Sequence, residues 1–188
     1  PDGAVELYYD SAKKFETTAT GITVTGTVNG IPFFSDAANN SMYTHDVSGT
    51  DSTAAGNTAY GFAAMDAITT GDYNVAIGNG AGSAINTGER NVLVGAFSGD
   101  AITEGLYNVA IGYQALGANV DSDSNVAIGY SALALMTGTA GNTYNTAVGH
   151  QAGEQVTTGT QNTLIGALTG DALTTGHNNV AMGYGALG

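Results

Sequence analysis

The chain has 188 residues, 29 of them glycine, and a formal net charge of −13 from 3 basic and 16 acidic residues. It contains no cysteine, which excludes disulfide bonds and thiolate metal sites. The scarcity of Lys and Arg excludes a nucleic-acid groove because phosphate neutralisation requires basic side chains. No apolar run approaches the ~20 residues that span a membrane.

Residues 1–35 alternate polar and apolar side chains and are predicted to form an N-terminal segment of β-strands with a hairpin. Val5–Tyr9 is predicted as a strand, Asp10–Lys13 as a turn and Phe15–Thr18 as a short return strand. The alternation resumes at Ile22–Thr25, which predicts a further strand.

Residues 36–56 are polar and irregular, and are predicted to be a connector or a degenerate first coil. Asn40 lies 17 residues before Asn57, where the regular repeats begin, so such a coil would open at Asn40.

Residues 57–188 are eight near-copies of one unit, numbered here from the asparagine at position 1 of each copy. Six of the seven steps between these asparagines are 17 residues long and one is 20. A fixed short period predicts a solenoid in which each coil stacks on the one before. The structural repeat residues are Asn57, Asn74, Asn91, Asn108, Asn125, Asn145, Asn162 and Asn179 at position 1, and Gly61, Gly78, Gly95, Gly112, Gly129, Gly149, Gly166 and Gly183 at position 5.

The columns of the repeat predict how a coil folds. Position 5 is expected at a corner that needs positive φ or leaves no room for a Cβ. Stacked asparagine amides, about 4.8 Å apart, are close enough for a side-chain ladder. Val75, Ala76 and Ile77 are apolar on both faces of their strand, so one face fills the coil and the other needs a covering surface. The small Ala and Gly residues suit the close approach of another chain, which predicts an oligomer.

The single 20-residue step places three extra residues within Gly138–Thr143. Because insertions in solenoids map to corners, this segment is predicted to bulge outward as a protruding loop without disturbing the strands.

The Asn-Val-Ala-Ile-Gly units at Asn74–Gly78, Asn108–Gly112 and Asn125–Gly129 resemble the head repeats of trimeric autotransporter adhesins. Those heads are left-handed parallel β-rolls with three chains side by side.

The longer units, Asn108–Leu116 and Asn125–Leu133, resemble the repeats of bacteriophage tail-fibre proteins, especially those of marine phages. The N-terminal segments Gly3–Asp10, Lys13–Thr18 and Gly21–Gly26 are also similar to segments of those fibres. The resemblance implies a homotrimeric, virion-associated fibre that supports host attachment.

We therefore predict an all-β fold: a parallel β-solenoid of 17-residue coils, either a left-handed β-roll or a triple β-helix, in a homotrimeric fibre. The expected function is that of a structural tail-fibre shaft or receptor-proximal segment on the virion. Its expected partners are its own copies, other fibre or virion proteins and a host surface glycan, with no nucleic acid and no membrane insertion. The break at Gly188, partway through a repeat, predicts a longer protein.

Two alternatives stay open. One is the head of a trimeric adhesin on a bacterial cell surface. A more distant one is a glycan-degrading fibre enzyme, which would need carboxylates clustered in a groove. The acidic column at position 10 is sparse for that purpose, so no enzyme activity, catalytic residue or cofactor is predicted. Its members are Asp66, Asp100, Glu154 and Asp171.

An aromatic column follows the position-5 glycines. It is predicted to be either a stripe at a trimer contact, which we favour, or a row of glycan contacts. Its members are Phe62, Tyr113, Tyr130, His150 and Tyr184. We interpret His150 as one member of the stripe rather than a metal or catalytic histidine. Asp121 and Asp123 share one turn and are interpreted as a solvated turn rather than a calcium site, so no metal site is predicted.

Overall fold

The computed structural model describes residues 5–18, 21–24, 27–28, 31–32, 34–36, 41–43, 53–138 and 140–188. Among these residues there is no helix, and all regular structure is β. The chain divides into two compact units, Pro1–Phe33 and Phe34–Gly188.

The N-terminal unit contains two small antiparallel sheets. β1 (Glu6–Tyr9), β2 (Ala12–Thr18) and β3 (Gly21–Val24) form one sheet, and β4 (Thr27–Val28) pairs with β5 (Ile31–Pro32) in the other.

A two-residue turn joins β1 to β2. Asp10 and Ser11 have φ of 50° and 58°, and positive φ at both central residues matches the twist of a hairpin. Because the turn is this tight, β2 begins at Ala12, three residues before the predicted start at Phe15. Lys13 Nζ lies 2.7 Å from Glu6 Oε1 across the hairpin.

The second unit is a solenoid with one three-residue strand in the sheet per coil. Its strands are β6 (Phe34–Asp36), β7 (Ser41–Tyr43), β8 (Thr58–Tyr60), β9 (Val75–Ile77), β10 (Val92–Val94), β11 (Val109–Ile111), β12 (Ser122–Asp123), β13 (Val126–Ile128), β14 (Gly141–Asn142), β15 (Thr146–Val148), β16 (Thr163–Ile165) and β17 (Val180–Met182). All except β12 and β14 form one ten-stranded sheet, in which only β6 and β7 pair antiparallel and the other pairs are parallel.

The register places equal positions of successive copies side by side. Val92 pairs with Val109, and Leu93 pairs with Ala110. The backbone bonds continue past the strand ends, since Val92 N donates to Asn108 O at 2.8 Å. The predicted parallel β-solenoid of 17-residue coils is confirmed, and the chain coils on itself, as in the β-roll alternative.

A further rung precedes Asn57. Met42 pairs with Thr58, and Asn57 N donates to Ser41 Oγ at 3.1 Å. The next coil repeats this bond, with Asn74 N donating to Asn57 Oδ1 at 2.8 Å. Ser41 therefore holds position 1 of this rung, and Asn40, the predicted start, lies outside the described residues.

The interior of the coil reverses the expected roles of the strand faces. Ala76 at position 3 is fully buried, whereas Val75 is half-buried and Ile77 is exposed. The prediction that the small residues face another chain is therefore wrong. The coil is thin, and its opposite wall contributes large side chains such as Ile85 and Ile102, so the strand can add only small ones.

Position 3 and position 9 complement each other in volume. Position 3 is Leu in only two copies, at Leu93 and Leu164. A β-carbon added to Gly99, at position 9, would come within 2.8 Å of Leu93 Cδ2. The buried large residues at position 9, Met65, Leu116 and Leu133, all occur in copies with Ala at position 3. Gly82 and Gly153 also follow Ala at position 3, and there the leucine of the next coil, Leu93 or Leu164, takes up the space. The pairing keeps the core filled without overpacking.

The predicted asparagine ladder runs through the stack, buried along almost its whole length. Asn91 Nδ2 donates to Asn74 Oδ1 at 3.0 Å and to Gly105 O at 2.8 Å. Asn91 N also donates to Asn74 Oδ1, at 3.0 Å. The amide thus satisfies its own polar atoms and a corner of the backbone that would otherwise be buried without partners.

Both expected reasons for glycine at position 5 apply. Gly112 has φ of 129°, and a β-carbon there would come within 2.4 Å of Gly129 O in the next coil. The coils can therefore stack at strand spacing only if this corner has no side chain.

The 20-residue step leaves the sheet register intact, since Val126 pairs with Thr146. Within the segment predicted to protrude, Gly141 and Asn142 form β14, which pairs in parallel with β12 of the preceding coil, and Thr139 lies outside the described residues. Thr143 is buried, and its Oγ1 donates to Asn125 Oδ1 at 2.8 Å. Available backbone partners on the preceding coil hold the longer corner in place.

Candidate interaction surfaces

The outward side of the sheet is apolar. We call this surface the strand face, formed by positions 2 and 4. It comprises Thr58, Val75, Val92, Val109, Val126, Thr146, Thr163 and Val180, and Tyr60, Ile77, Val94, Ile111, Ile128, Val148, Ile165 and Met182. Sixteen large apolar side chains between residues 53 and 188 are exposed, and twelve lie on this face or in the two columns flanking it, at position 6 and just before each asparagine. Apolar exposure is therefore concentrated, which marks an interaction surface.

The structure brings three of the five predicted stripe residues together. The rings of Tyr113 and Tyr130 stack with centroids 5.5 Å apart, and those of Tyr130 and His150 with centroids 5.1 Å apart. Phe62 and Tyr184 lie in more distant coils, and the copies between them and the stack carry Asn or Ala at position 6.

Stacking determines what this column offers to a ligand. Tyr130 has Tyr113 on one ring face and His150 on the other, so mainly its edge is open. A sugar that stacks on an aromatic ring needs a free face. The arrangement therefore favours the contact stripe over the glycan row, and both roles stay predictions.

The sequence reasoning missed a second stack, in the column just before each asparagine. The Arg90 guanidinium lies 5.4 Å from the ring centre of Tyr73 and 5.6 Å from that of Tyr107. Glu89 pairs with the same guanidinium. Tyrosines 34 residues apart with the arginine midway were the available signal.

Charge is segregated from the strand face. Nine acidic residues lie between residues 57 and 188, and none occupies the strand face or its two flanking columns. Arg90 is the single residue with a formal charge in those columns. A chain of net charge −13 thus presents one surface that is nearly free of charge.

A cleft of about 290 Å³ lies elsewhere on the solenoid, lined by Asp100, Gln114, Gly117, Ala118, Ser131, Ala134, Leu135 and Glu154. Burial raises the pKa of the Asp100 carboxyl above its ordinary value because the charged form loses hydration. Gln151 Nε2 donates to Glu154 Oε2 at 2.7 Å, which orients the second carboxylate.

Asp121 and Asp123, interpreted above as part of a solvated turn, each accept a hydrogen bond from the preceding coil. Thr103 Oγ1 donates to Asp121 Oδ1 at 2.9 Å, and Leu106 N donates to Asp123 Oδ1 at 2.7 Å. Across the described ranges, no three His, Asp or Glu side chains group as metal ligands. Within the same ranges, no helix is long and apolar enough to cross a membrane.

Comparison of the chain with protein-family models, curated proteins and solved structures finds no match. Its function is therefore argued from these surfaces.

Proposed function

We propose that the chain is a structural segment of a virion fibre, a tail-fibre shaft or receptor-proximal region that supports host attachment. We further propose that its copies associate as a homotrimer through the strand face. The observation that carries the proposal is the continuous, acid-free apolar face across eight successive rungs.

Stiffness supports the shaft role. Each coil bonds to the next through its strand, its corners and its asparagine, so bending would break several bonds at once. Eight coils give a stack ~34 Å tall at one strand spacing per coil.

The size of the strand face supports association. In each coil, the stretch from the residue just before the asparagine to position 6 is about seven residues, or ~20 Å, long. Over the ~34 Å height of the stack, the strand face with its flanking columns therefore covers roughly 700 Å². A stable interface buries about 800 Å² per partner. In a trimer each copy would divide this face between its two neighbours, so the whole assembly would bury an area per copy close to that of one standard interface.

The distribution of charge supports a second copy of the chain as the partner that covers the strand face. Two copies of net charge −13 repel wherever their acidic columns approach. The strand face is the surface through which like-charged copies can meet without burying a carboxylate. The resemblance to trimeric fibres motivates three copies.

The mass of the chain in solution tests association. We expect a light-scattering mass of three times 18.7 kDa. Ile111→Asp should dissociate the assembly, since it buries a charge at the interface. Val120→Asp is the matched control, because Val120 is 39% exposed, Ile111 is 37% exposed, and Val120 lies off the strand face. A monomeric parent chain would overturn the assembly, and a dimer would overturn the trimer.

An antibody raised against the chain tests the location. Labelling of phage fibres in electron micrographs is expected. Labelling of a bacterial surface instead would replace the virion proposal with the adhesin alternative.

A further inference from the structure

We infer that the cleft between Asp100 and Glu154 binds a neutral oligosaccharide lying along the stack of coils. The inference rests on the proposed attachment role for the source of the ligand. The cleft itself lies on residues outside the strand face and requires no self-association.

The cleft lies where two small residues, Gly117 and Ala134, are adjacent between two acidic ones in the position-10 column. Position 10 holds Asp100 and Glu154 in the outer two of four successive coils, and Gly117 and Ala134 in the coils between. The missing side chains open a depression two coils long, closed at each end by a carboxylate.

The residues that line the cleft can both donate and accept hydrogen bonds. Gln114 supplies an amide donor and acceptor, Ser131 a hydroxyl, and the two carboxylates strong acceptors. Leu135, 44% exposed, adds an apolar patch at the side. Sugar hydroxyls both donate and accept, and sugar rings carry apolar C–H faces, so the lining matches a carbohydrate. Burial also raises the pKa of Asp100, and perturbed pKa values cluster at functional sites.

The same geometry disfavours other ligands. Asp100 and Glu154 lie three coils apart, ~14 Å along the stack, too far to share one metal ion. An anion would meet two carboxylates and no cation in this cleft. An extended neutral chain can reach both ends and use the polar groups between them.

Further departures from the repeat fall in the same four coils. The stacked rings of Tyr113, Tyr130 and His150, with Phe97 edge-on to Tyr113, occupy them, and the 20-residue step lies among them. Gln114 and Ser131, which line the cleft, directly follow Tyr113 and Tyr130 in the sequence. A purely structural role would not require neighbouring copies to depart from the repeat pattern together.

The test uses the full chain and a printed array of neutral linear tetrasaccharides, followed by titration with cellotetraose in solution. Ala134→Asp fills the cleft with a residue that the same column carries in other coils. Ser83→Asp is the matched control, since it adds the same charge to the same column outside the cleft. Gln114→Ala removes one lining group as a second, milder change.

We expect binding by the parent chain and by Ser83→Asp, and roughly tenfold weaker binding by Gln114→Ala, the loss of about one hydrogen bond. Ala134→Asp should abolish binding while the mass in solution is unchanged. No binding to the array, or binding that Ala134→Asp leaves intact, would overturn the inference. Binding of spermine that strengthens in Ala134→Asp would reassign the cleft to cations. Each of these outcomes is independent of whether the strand face associates.

Discussion

Leu93 lies over Gly99, and the missing side chain of the glycine is filled by the leucine: a β-carbon at Gly99 would be 2.8 Å from Leu93 Cδ2. A β-carbon at Gly82, one coil earlier, would be 2.7 Å from Leu93 Cδ1. One large side chain thus fills the space that two glycines leave open.

This relation predicts a coupled pair of substitutions. Leu93→Ala should lower the free energy of unfolding by about 2–5 kcal/mol, because it leaves a cavity. Gly99→Leu alone should also destabilise by ~1–3 kcal/mol through overpacking. The double variant should lose less than the sum, since Leu116 and Leu133 already occupy the same position with φ of 52° and 50°. Urea unfolding of the four proteins measures the coupling, and strict additivity would contradict the packing account.

A second prediction concerns the asparagine ladder. Asn91→Asp replaces the amide donor that reaches Asn74 Oδ1 and Gly105 O with a carboxylate oxygen. Two buried acceptors then face a buried negative charge, so a loss above ~3 kcal/mol is expected at neutral pH. Thermal unfolding measures it. Asn178→Asp, at an exposed position, is the control and should change stability little.

A third prediction follows from the raised pKa of Asp100. The folded chain holds the proton of this carboxyl more tightly than the unfolded chain does. Ionisation of Asp100 therefore destabilises the folded chain. This destabilisation is absent when the pH is below the ordinary pKa of 3.8 and is fully present when the pH is above the raised pKa. Asp100→Asn should stabilise the chain at pH 7, and this gain should vanish as the pH falls below 3.8. Unfolding midpoints across this range check the sign. Ser83→Asn, in the same column, should show no such pH dependence, and a gain for Asp100→Asn that is constant with pH would contradict the burial argument.

The period of the repeat was sufficient to predict the stacked coils because one spacing sets the register of every strand. The side of the strand that faces inward was not predictable from Val75, Ala76 and Ile77, since alternation says only that the faces differ. The deciding fact is the volume contributed by the opposite wall of the coil, where Ile85 and Ile102 fill the interior.

The buried Asn119 shows a similar limit. It replaces the apolar residue of position 12, and local bonds satisfy it: Ser122 N donates to Asn119 Oδ1 at 3.0 Å, and Asn119 Nδ2 donates to Ser122 O at 3.1 Å. A polar residue in an apolar column predicts a gap in the core unless its backbone partners are known. The cleft was not predicted from the sequence for a similar reason, because Gly117 and Ala134 form a depression only when they are stacked between Asp100 and Glu154.

The asparagine ladder has a consequence for how the length of the rod changes over generations. Asn125 bonds to Asn108 as Asn108 bonds to Asn91. Excision of residues 108–124 would therefore seat Asn125 on Asn91 with bonds of the same kind, and duplication would insert a coil equally well. Recombination between neighbouring copies would therefore change the length of the solenoid in increments of ~4.8 Å while keeping the bonds of the asparagine ladder. Selection can thus adjust the length of the solenoid through the number of its coils.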